Sequence, residues 1–498
     1  MELMYEQVVA QNVSSLSYFV PELILFGTIV LILVADMMVC GDRPTLMASL
    51  ALGGLALTAA ALVYQPAVDR DLFAGTLALD PFATFFKFLF VVALTIAVLV
   101  SMKAEDVGAP RSAEYNAMML TLGSGMFLMA SAINLVTMFL AFEMVSLTSY
   151  ILTGHLTDEK RSSEAALKYV IYSAASAGIF LFGMSWLFGV TGTLYLPNIA
   201  HSLIAGGTPL AVGVAVILIL VGLGYKIASV PFHFWAPDAY TGAPAPVAGL
   251  LSVGPKAAGM ALLTRFLYEG LSVGAGGEWI GLHQVNWPAV IAILAAASMT
   301  VGNLSAIWQG NIKRLLAYSS IAHAGYILMG VAMLSSAGLK AVMFYLAIYV
   351  FMNFGAFLVV IALAGHINSD KLEAYAGLGR RAPFLAVAMA VFLVSLAGLP
   401  PTSGFIGKLY LFLAVWHKEV YWLAVVAALN TVVALYFYAR ILREMFLREP
   451  PSGAESIAVR PLYLVLLGAM VAPTLVLGLY WSPLMDIVGG SLRFLGGN

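Results

Sequence analysis

Four charged residues stand in apolar surroundings that lipid would not accept: Glu143, Lys226, Lys256 and Lys408. Glu143 lies within LVTMFLAFEMVSLTSYIL, about mid-span, with Ser146, Thr148, Ser149 and Tyr150 after it. A carboxylate at that depth is costly, and such groups by default serve ion or proton paths. The competing reading is a neutral carboxyl held by an interhelical hydrogen bond. Glu143 needs a cationic partner, and Lys226 is the expected one. Lys226 follows Gly222 and Gly224 and precedes Pro231, so its helix is expected to break beside the charge. Snorkelling to the inner surface is its bland alternative. Lys256 lies roughly ten residues into the next segment, near mid-membrane at about 1.5 Å per residue. Lys408 ends SLAGLPPTSGFIGK, where Pro400, Pro401, Gly404 and Gly407 predict a second broken helix. Lysine suits a proton relay because burial disfavours its charged form, so a neighbouring charge can load or unload it.

Other polar residues carry two readings each. Lys168 could extend the relay or form a local pair with Glu164 one turn earlier. His323, near mid-span in LLAYSSIAHAGYILMG, could pass protons between lysines or be a hydrogen-bonded core histidine. His233 and Asp238, in PFHFWAPDAY, could form a proton inlet or cap and orient the loop. Lys87 and Arg265 lie towards outer span ends and are expected to snorkel. Asp36 and Asp80 sit near span ends and call for no special account. The Gly-rich run GLSVGAGGEWIG lacks a following Lys-Ser/Thr and is no phosphate loop.

The elements that must hold these groups are membrane helices. Of 498 residues, 62% are hydrophobic and 10% charged, against about 25% charged in soluble domains. The mean hydropathy is +0.96, which makes this an all-α polytopic membrane protein. Net charge of −1 gives no bulk case for nucleic acid. The single Cys40 excludes an internal disulfide and a four-cysteine iron–sulfur cluster, and the seven histidines lack metal-type spacing. No cofactor and no metal are expected on this chain. The N-terminus has Glu2 and Glu6 and no basic residue before the first apolar run, unlike a cleaved signal peptide.

Apolar runs predict fourteen spans near 20–40, 44–64, 80–101, 114–131, 134–153, 164–189, 209–230, 245–269, 288–308, 313–333, 339–364, 384–416, 420–441 and 461–481. With both termini outside, only Arg70, Lys340, Lys418 and Arg493 of the 24 basic residues fall outside. Six lie within spans (Lys87, Lys168, Lys226, Lys256, Arg265 and Lys408), and the other fourteen are inside, as the positive-inside rule requires. The expected broken helices, seven and twelve, are five spans apart. Five is odd, so helices four to eight and nine to thirteen would be inverted repeats. The predicted divisions are three leading helices (1–112), a first repeat (113–270), an inverted repeat (287–449) and a last helix (450–498).

At these residues the chain resembles a known family. KYVIYSAASAGIFLFG, GLGYKIASVPFHFWAPDAYTGAPAPV, NIKRLLAYSSIAHAGY and SLAGLPPTSGFIGK are similar to the proton-pumping membrane subunits of respiratory NADH–quinone oxidoreductase, complex I. The resemblance covers nearly the whole chain. GAPAPV, ALKYVIYSAASAG and the modest length resemble the subunit N branch most. It implies a bacterial inner-membrane subunit that moves protons, with flavin, iron–sulfur clusters and quinone in partner subunits. It also implies roles for single residues: the family's helix-five carboxylate falls on Glu143 and its helix-seven lysine on Lys226. Its helix-eight lysine falls on Lys256, its terminal helix-twelve residue on Lys408 and its helix-six lysine on Lys168. The position of Lys408 is a glutamate in the sister subunit M.

The rival within the same superfamily is a subunit of a multisubunit cation/proton antiporter. Rivals of other kinds are a structural arm that only anchors neighbours, and a lone solute carrier. Midplane lysines repel sodium, whose sites want carbonyl and carboxylate oxygens. Three buried lysines would be an unexplained cost in a pure anchor.

Overall fold

The computed structural model describes residues 2–494 apart from 40–42, 67, 105–106, 108–110, 207, 276–277, 368, 451–454 and 493. Cys40, Arg493 and two positions of the Gly-rich run therefore lie outside the described residues. In chain order the helices are α1 (Glu2–Leu16), α2 (Val20–Met38), α3 (Pro44–Tyr64), α4 (Pro81–Ser101), α5 (Ser112–Ser131), α6 (Leu135–Thr153), α7 (Lys160–Thr191), α8 (Leu196–Ala205), α9 (Pro209–Lys226) and α10 (Trp235–Gly242). Then come α11 (Ala245–Arg265, extended by a π turn over Phe266–Gly270), α12 (Trp287–Ile307), α13 (Ile312–Val331), α14 (Ser336–Ala364), α15 (Leu378–Arg381), α16 (Pro383–Ala397), α17 (Ser403–His417), α18 (Tyr421–Leu447), α19 (Pro461–Leu479) and α20 (Ser482–Gly490). Two short antiparallel hairpins interrupt them, β1 (Arg70–Leu72) with β2 (Leu77–Leu79) and β3 (Ser272–Ala275) with β4 (Glu278–Gly281).

Helix is the expected backbone where no water can satisfy N–H and C=O groups. Polar caps mark several starts: Asp80, Asn134, Asn286, Asn311 and Ser335 each accept a backbone N–H of the first turn. Among the described residues, eleven helices are long and apolar enough to cross a membrane. There are twelve if Leu372–Arg381 and Pro383–Ala397, bent by 120°, form one span. The chain is an all-α polytopic membrane protein. Helices α5 and α13 have twenty residues each and are not among these eleven.

Helix α11 is wholly enclosed and α14 is 94% buried, whereas α2 is only 28% buried. That contrast sets α11 and α14 at the centre and α2 at the rim. Apolar side chains gain little by leaving lipid, so helices are held by close packing. Helices α12 and α13 show how. A Cβ on Gly302 would stand 2.6 Å from the Ala322 nitrogen, and one on Gly325 2.6 Å from the Met299 nitrogen. Only glycine lets these two backbones touch.

Three sequence expectations are corrected. Lys87 does not snorkel: it is 2% exposed and its Nζ meets Glu22 Oε1 at 2.7 Å, tying α4 to α2. Arg265 does not snorkel either, being fully enclosed. Its guanidinium donates to both oxygens of Asp80 at 2.9 Å, to Glu269 Oε1 at 2.6 Å and to the Ala130 carbonyl at 3.0 Å. Asp80 does need an account, since it also accepts the Ala83 N–H at 2.8 Å to start α4. In each case an opposite charge at the same depth makes an inward pair better than a reach for the interface.

Candidate functional site

Helix α9 stops at Lys226. Gly222 and Gly224 let Phe180 and Phe232 press within 3 Å of where a Cβ would be, and the chain then turns back. Ala228 takes a left-handed φ of +56°, and the Ser229 N–H donates to the Gly224 carbonyl at 2.9 Å. Trp235, opening α10, donates to the Tyr225 carbonyl at 2.9 Å and fixes the turn. Lys226 thus sits at a helix C-terminus, where unpaired carbonyls favour a cation. Its Nζ donates to Ser146 Oγ at 2.8 Å and lies 4.9 Å from the centre of the Phe142 ring.

Glu143 is a neighbour of this ammonium but not its direct partner. Phe142 and Ser146 are stacked one turn apart on α6, and Glu143 points about 100° further round that helix. The two charges attract through space without closing to an ion pair. Glu143 Oε1 is buried with no partner among the described residues. Its flanking Leu140 and Leu147 are exposed, at 61% and 47%. Glu143 therefore stands between the polar interior and an uncovered face of the chain.

Lys226 reaches Lys256 by way of α11. A Cβ on Gly259 would meet Lys226 Cγ at 3.2 Å, and Gly259 lies one turn from Lys256 on the same face. Pro255 deprives the Leu251 carbonyl of its helical partner, and the Tyr240 hydroxyl donates to that carbonyl instead, at 3.2 Å. Lys256 is 2% exposed and donates to the Ser320 carbonyl at 2.5 Å and to the Ser320 hydroxyl of α13. His323, one turn on, is held between the Tyr345 hydroxyl at Nδ1, 2.7 Å, and the Tyr438 hydroxyl at Nε2, 3.2 Å. It feels the charge of both Lys256 and Lys408.

Lys408 sits in the second turn of α17, after the break between α16 and α17. Gly398, with φ +82°, leaves the room that its side chain threads through. Its Nζ donates to the Ala397 carbonyl, the last residue of α16, at 2.9 Å, and stands 4.5 Å over the Tyr326 ring. Lys226 is thus the last residue of one helix, while Lys408 reaches the carbonyl that ends another.

The remaining residues separate. Lys168 pairs with Glu164 at 2.7 Å and with Asp238 at 3.1 Å, and Asp238 also takes Arg314 at 2.7 Å. These join α7, α10 and α13 in a half-exposed clamp. His233 does not join Asp238; it turns into the break after α9, with Nδ1 buried and lacking a partner among the described residues. Among the described residues no three His, Cys, Asp or Glu could hold a metal ion. The arrangement offers a buried succession of proton donors and acceptors from Glu143 to Lys408. Sequence reasoning missed the oxygens that hold the lysines, Ser146 and Ser320, and the phenols at His323. Helical spacing would have found Ser320 one turn before His323, but the phenols lie on distant helices.

The family model described as NADH:quinone oxidoreductase/Mrp antiporter, TM, matches residues 132–434. The chain is similar to NADH-quinone oxidoreductase subunit N of Anaeromyxobacter sp. (strain Fw109-5), 43% identical over 98% of this chain and 99% of that one. It is similar to subunit N 2 of Chloroherpeton thalassium (strain ATCC 35110 / GB-78), 44% identical over 96% and 95%. A chain of respiratory complex I from Thermus thermophilus, solved with bound aureothin, matches at TM-score 0.79 and 32% identity over 94% and 99%. A chain of the Mrp complex from Dietzia sp. DQ12-45-1b shares the fold at TM-score 0.79 and 23% identity over 97% of each. The chain belongs to the NADH:quinone oxidoreductase/Mrp antiporter transmembrane family, among relatives named subunit N.

Proposed function

We propose that this chain is a proton-translocating membrane-arm subunit of an NADH–quinone oxidoreductase of the complex I kind. It works in a bacterial inner membrane beside other membrane-arm subunits. The redox chemistry, with flavin, iron–sulfur clusters and quinone, belongs to those partners, and this chain moves protons through its buried polar succession. The observation that carries the reading is the enclosure of Lys226, Lys256 and Lys408, each 2–4% exposed, with His323 feeling the charge of the last two. Relatives above 40% identity named subunit N favour the redox assembly over a cation/proton antiporter.

In this reading the spans number fourteen. Each long helix α2 to α7 is one span, as are α11 to α14, α18 and α19, and the pairs α9–α10 and α16–α17 are single broken spans. The chain then divides at 1–112, 113–270, 287–449 and 450–498, with the second and third parts related by an in-plane two-fold and both termini on the outer side. The charge asymmetry of the loops supports that orientation. Glu143 sets the proton affinity of Lys226, Lys256 relays, and Lys408 exchanges with the outer side. Lys168, His233 and Asp238 belong to the inner side of the route and His323 to its middle.

The test is Lys256→Ala and Lys256→Arg in fully assembled complexes, with protons pumped per NADH measured in vesicles. Both are expected to fail, arginine because its guanidinium releases no proton at workable pH. Wild-type pumping in both variants would refute the route at its centre.

A further inference from the structure

Between Lys256 and Lys408 lies a set of side chains that could be plain packing or could be the conductor itself. His323 is held at both nitrogens by hydroxyls from different helices, Tyr345 of α14 and Tyr438 of α18. The Tyr438 hydroxyl also meets Ser319 Oγ of α13, at 2.5 Å. All three rings are at most 2% exposed. The Tyr345 ring packs on Gly407, the residue before Lys408, where a Cβ would come within 2.7 Å of the ring. Ser319 in turn adjoins Ser320, which holds Lys256.

We propose that Ser319, Tyr438, His323 and Tyr345 form a proton wire that carries one proton per reset from Lys256 to Lys408, with both phenols as proton-carrying groups. It rests on the function proposed above. Water closes two gaps, between the Ser320 and Ser319 hydroxyls and between Tyr345 and Lys408.

The one-proton limit follows from the imidazole. A neutral ring has one N–H, so it donates at one nitrogen and accepts at the other. In the loaded state Nδ1–H points to the Tyr345 oxygen, and Nε2 accepts from Tyr438, which accepts from Ser319. When Lys256 gives up a proton, Ser319 passes its own to Tyr438 and Tyr438 passes its own to Nε2. Nδ1 releases its proton to Tyr345, and the Tyr345 proton goes to Lys408. One N–H bond is lost at Lys256 and one gained at Lys408, and no charge remains between them. Every donor now points the other way, with the ring in its other tautomer. A second proton cannot follow until the hydroxyls turn back and the ring regains its Nδ1–H tautomer, between Tyr345 and Tyr438. The wire thus remembers its last transfer.

The experiment uses assembled complexes carrying Tyr438→Phe, Tyr345→Phe or Lys256→Ala, with pumping per NADH read in vesicles. Phenylalanine keeps the ring packing, so assembly is expected to hold while each phenol variant pumps about tenfold less. Infrared spectra of histidine-labelled complexes, with His323→Gln identifying the bands of this ring, supply a readout that packing alone would not move. Tyr345→Phe removes the acceptor of the Nδ1–H and so favours Nε2–H towards Tyr438, and Tyr438→Phe removes the partner of Nε2 and so favours Nδ1–H towards Tyr345. Opposite tautomers are therefore expected in the two variants. The same tautomer in both overturns the wire, and so does wild-type pumping in either phenol variant while Lys256→Ala fails. Wild-type pumping in Lys256→Ala as well would instead bring down the functional reading on which the wire rests.

Discussion

Replacing Arg265 by methionine tests the account of buried charge most directly. Arg265 makes four hydrogen bonds, three of them to the carboxylates of Asp80 and Glu269, and its guanidinium lies 5.1 Å over the Phe82 ring. Methionine fills much of the same volume but strands two carboxylates among enclosed side chains. Removing one partner of a buried ion pair costs about 3–5 kcal/mol, because the other charge is left uncompensated. Whole domains are stable by only about 5–15 kcal/mol. The single variant should therefore lose much of its assembled complex and disassemble at lower temperature in detergent. Adding Asp80→Asn and Glu269→Gln removes the stranded charges, so the triple variant should regain most of the loss. The assay is the yield and thermal stability of intact complex on native gels. Two results would refute the reasoning: a single variant as stable as wild type, or a triple variant no better than the single one. The second would mean that shape, not charge, holds this corner.

Other expectations concern positioning and pH. Gly398→Ala meets a left-handed φ, a penalty of about 1–2 kcal/mol, and puts a Cβ 2.6 Å from Lys408 Cδ, so pumping per assembled complex should fall. Unchanged pumping would mean that the Lys408 side chain has slack. Asp238→Asn loosens a half-exposed clamp whose pairs are worth about 0–1 kcal/mol each, so the melting temperature should barely move, and a large drop would contradict that placement. His155, in the loop after α6, is held below its ordinary pKa of 6.5 by burial first and by Arg111 second, with Glu114 opposing. The unfolded chain then binds the proton more readily, so stability is intact above about 6.5 and declines as pH falls below it. His155→Gln should flatten that acid-side decline in melting curves, and an unaltered curve would remove His155 as its source.

The class of protein and the charged members of the site were legible because lipid makes them so. A lysine amid apolar residues stands out in a string of letters, as does a Gly/Pro cluster beside it. Partners were less legible. Glu22 and Lys87 lie at similar depth on different helices, and only the packing of α2 against α4 makes them a pair. Arg265 was misread because proximity to a span end says nothing about which way a helix faces. Glu143 and Lys226 were expected as a coupled pair and do attract through space, but a rotation of about 100° on α6 gives the hydrogen bond of Lys226 to Ser146. The phenols flanking His323 were beyond reach, since Tyr345 and Tyr438 are ordinary residues of apolar helices until three helices meet.

The full enclosure of α11 has a consequence for how the chain is made. Helix α11 is the least apolar of the eleven membrane-length helices, with a peak hydropathy of 1.4, and carries Lys256. Its cover, α14, is finished only when residue 364 has been synthesised, roughly a hundred residues after α11 ends. At about 5–20 residues per second, a nascent chain holds α11 without that cover for on the order of ten seconds. During that interval the lysine faces the insertion machinery or earlier helices rather than its final neighbours. A ribosome stalled shortly before residue 336 should therefore leave a cysteine placed on the α11 face open to a water-borne thiol reagent, and release of the stall should close it off.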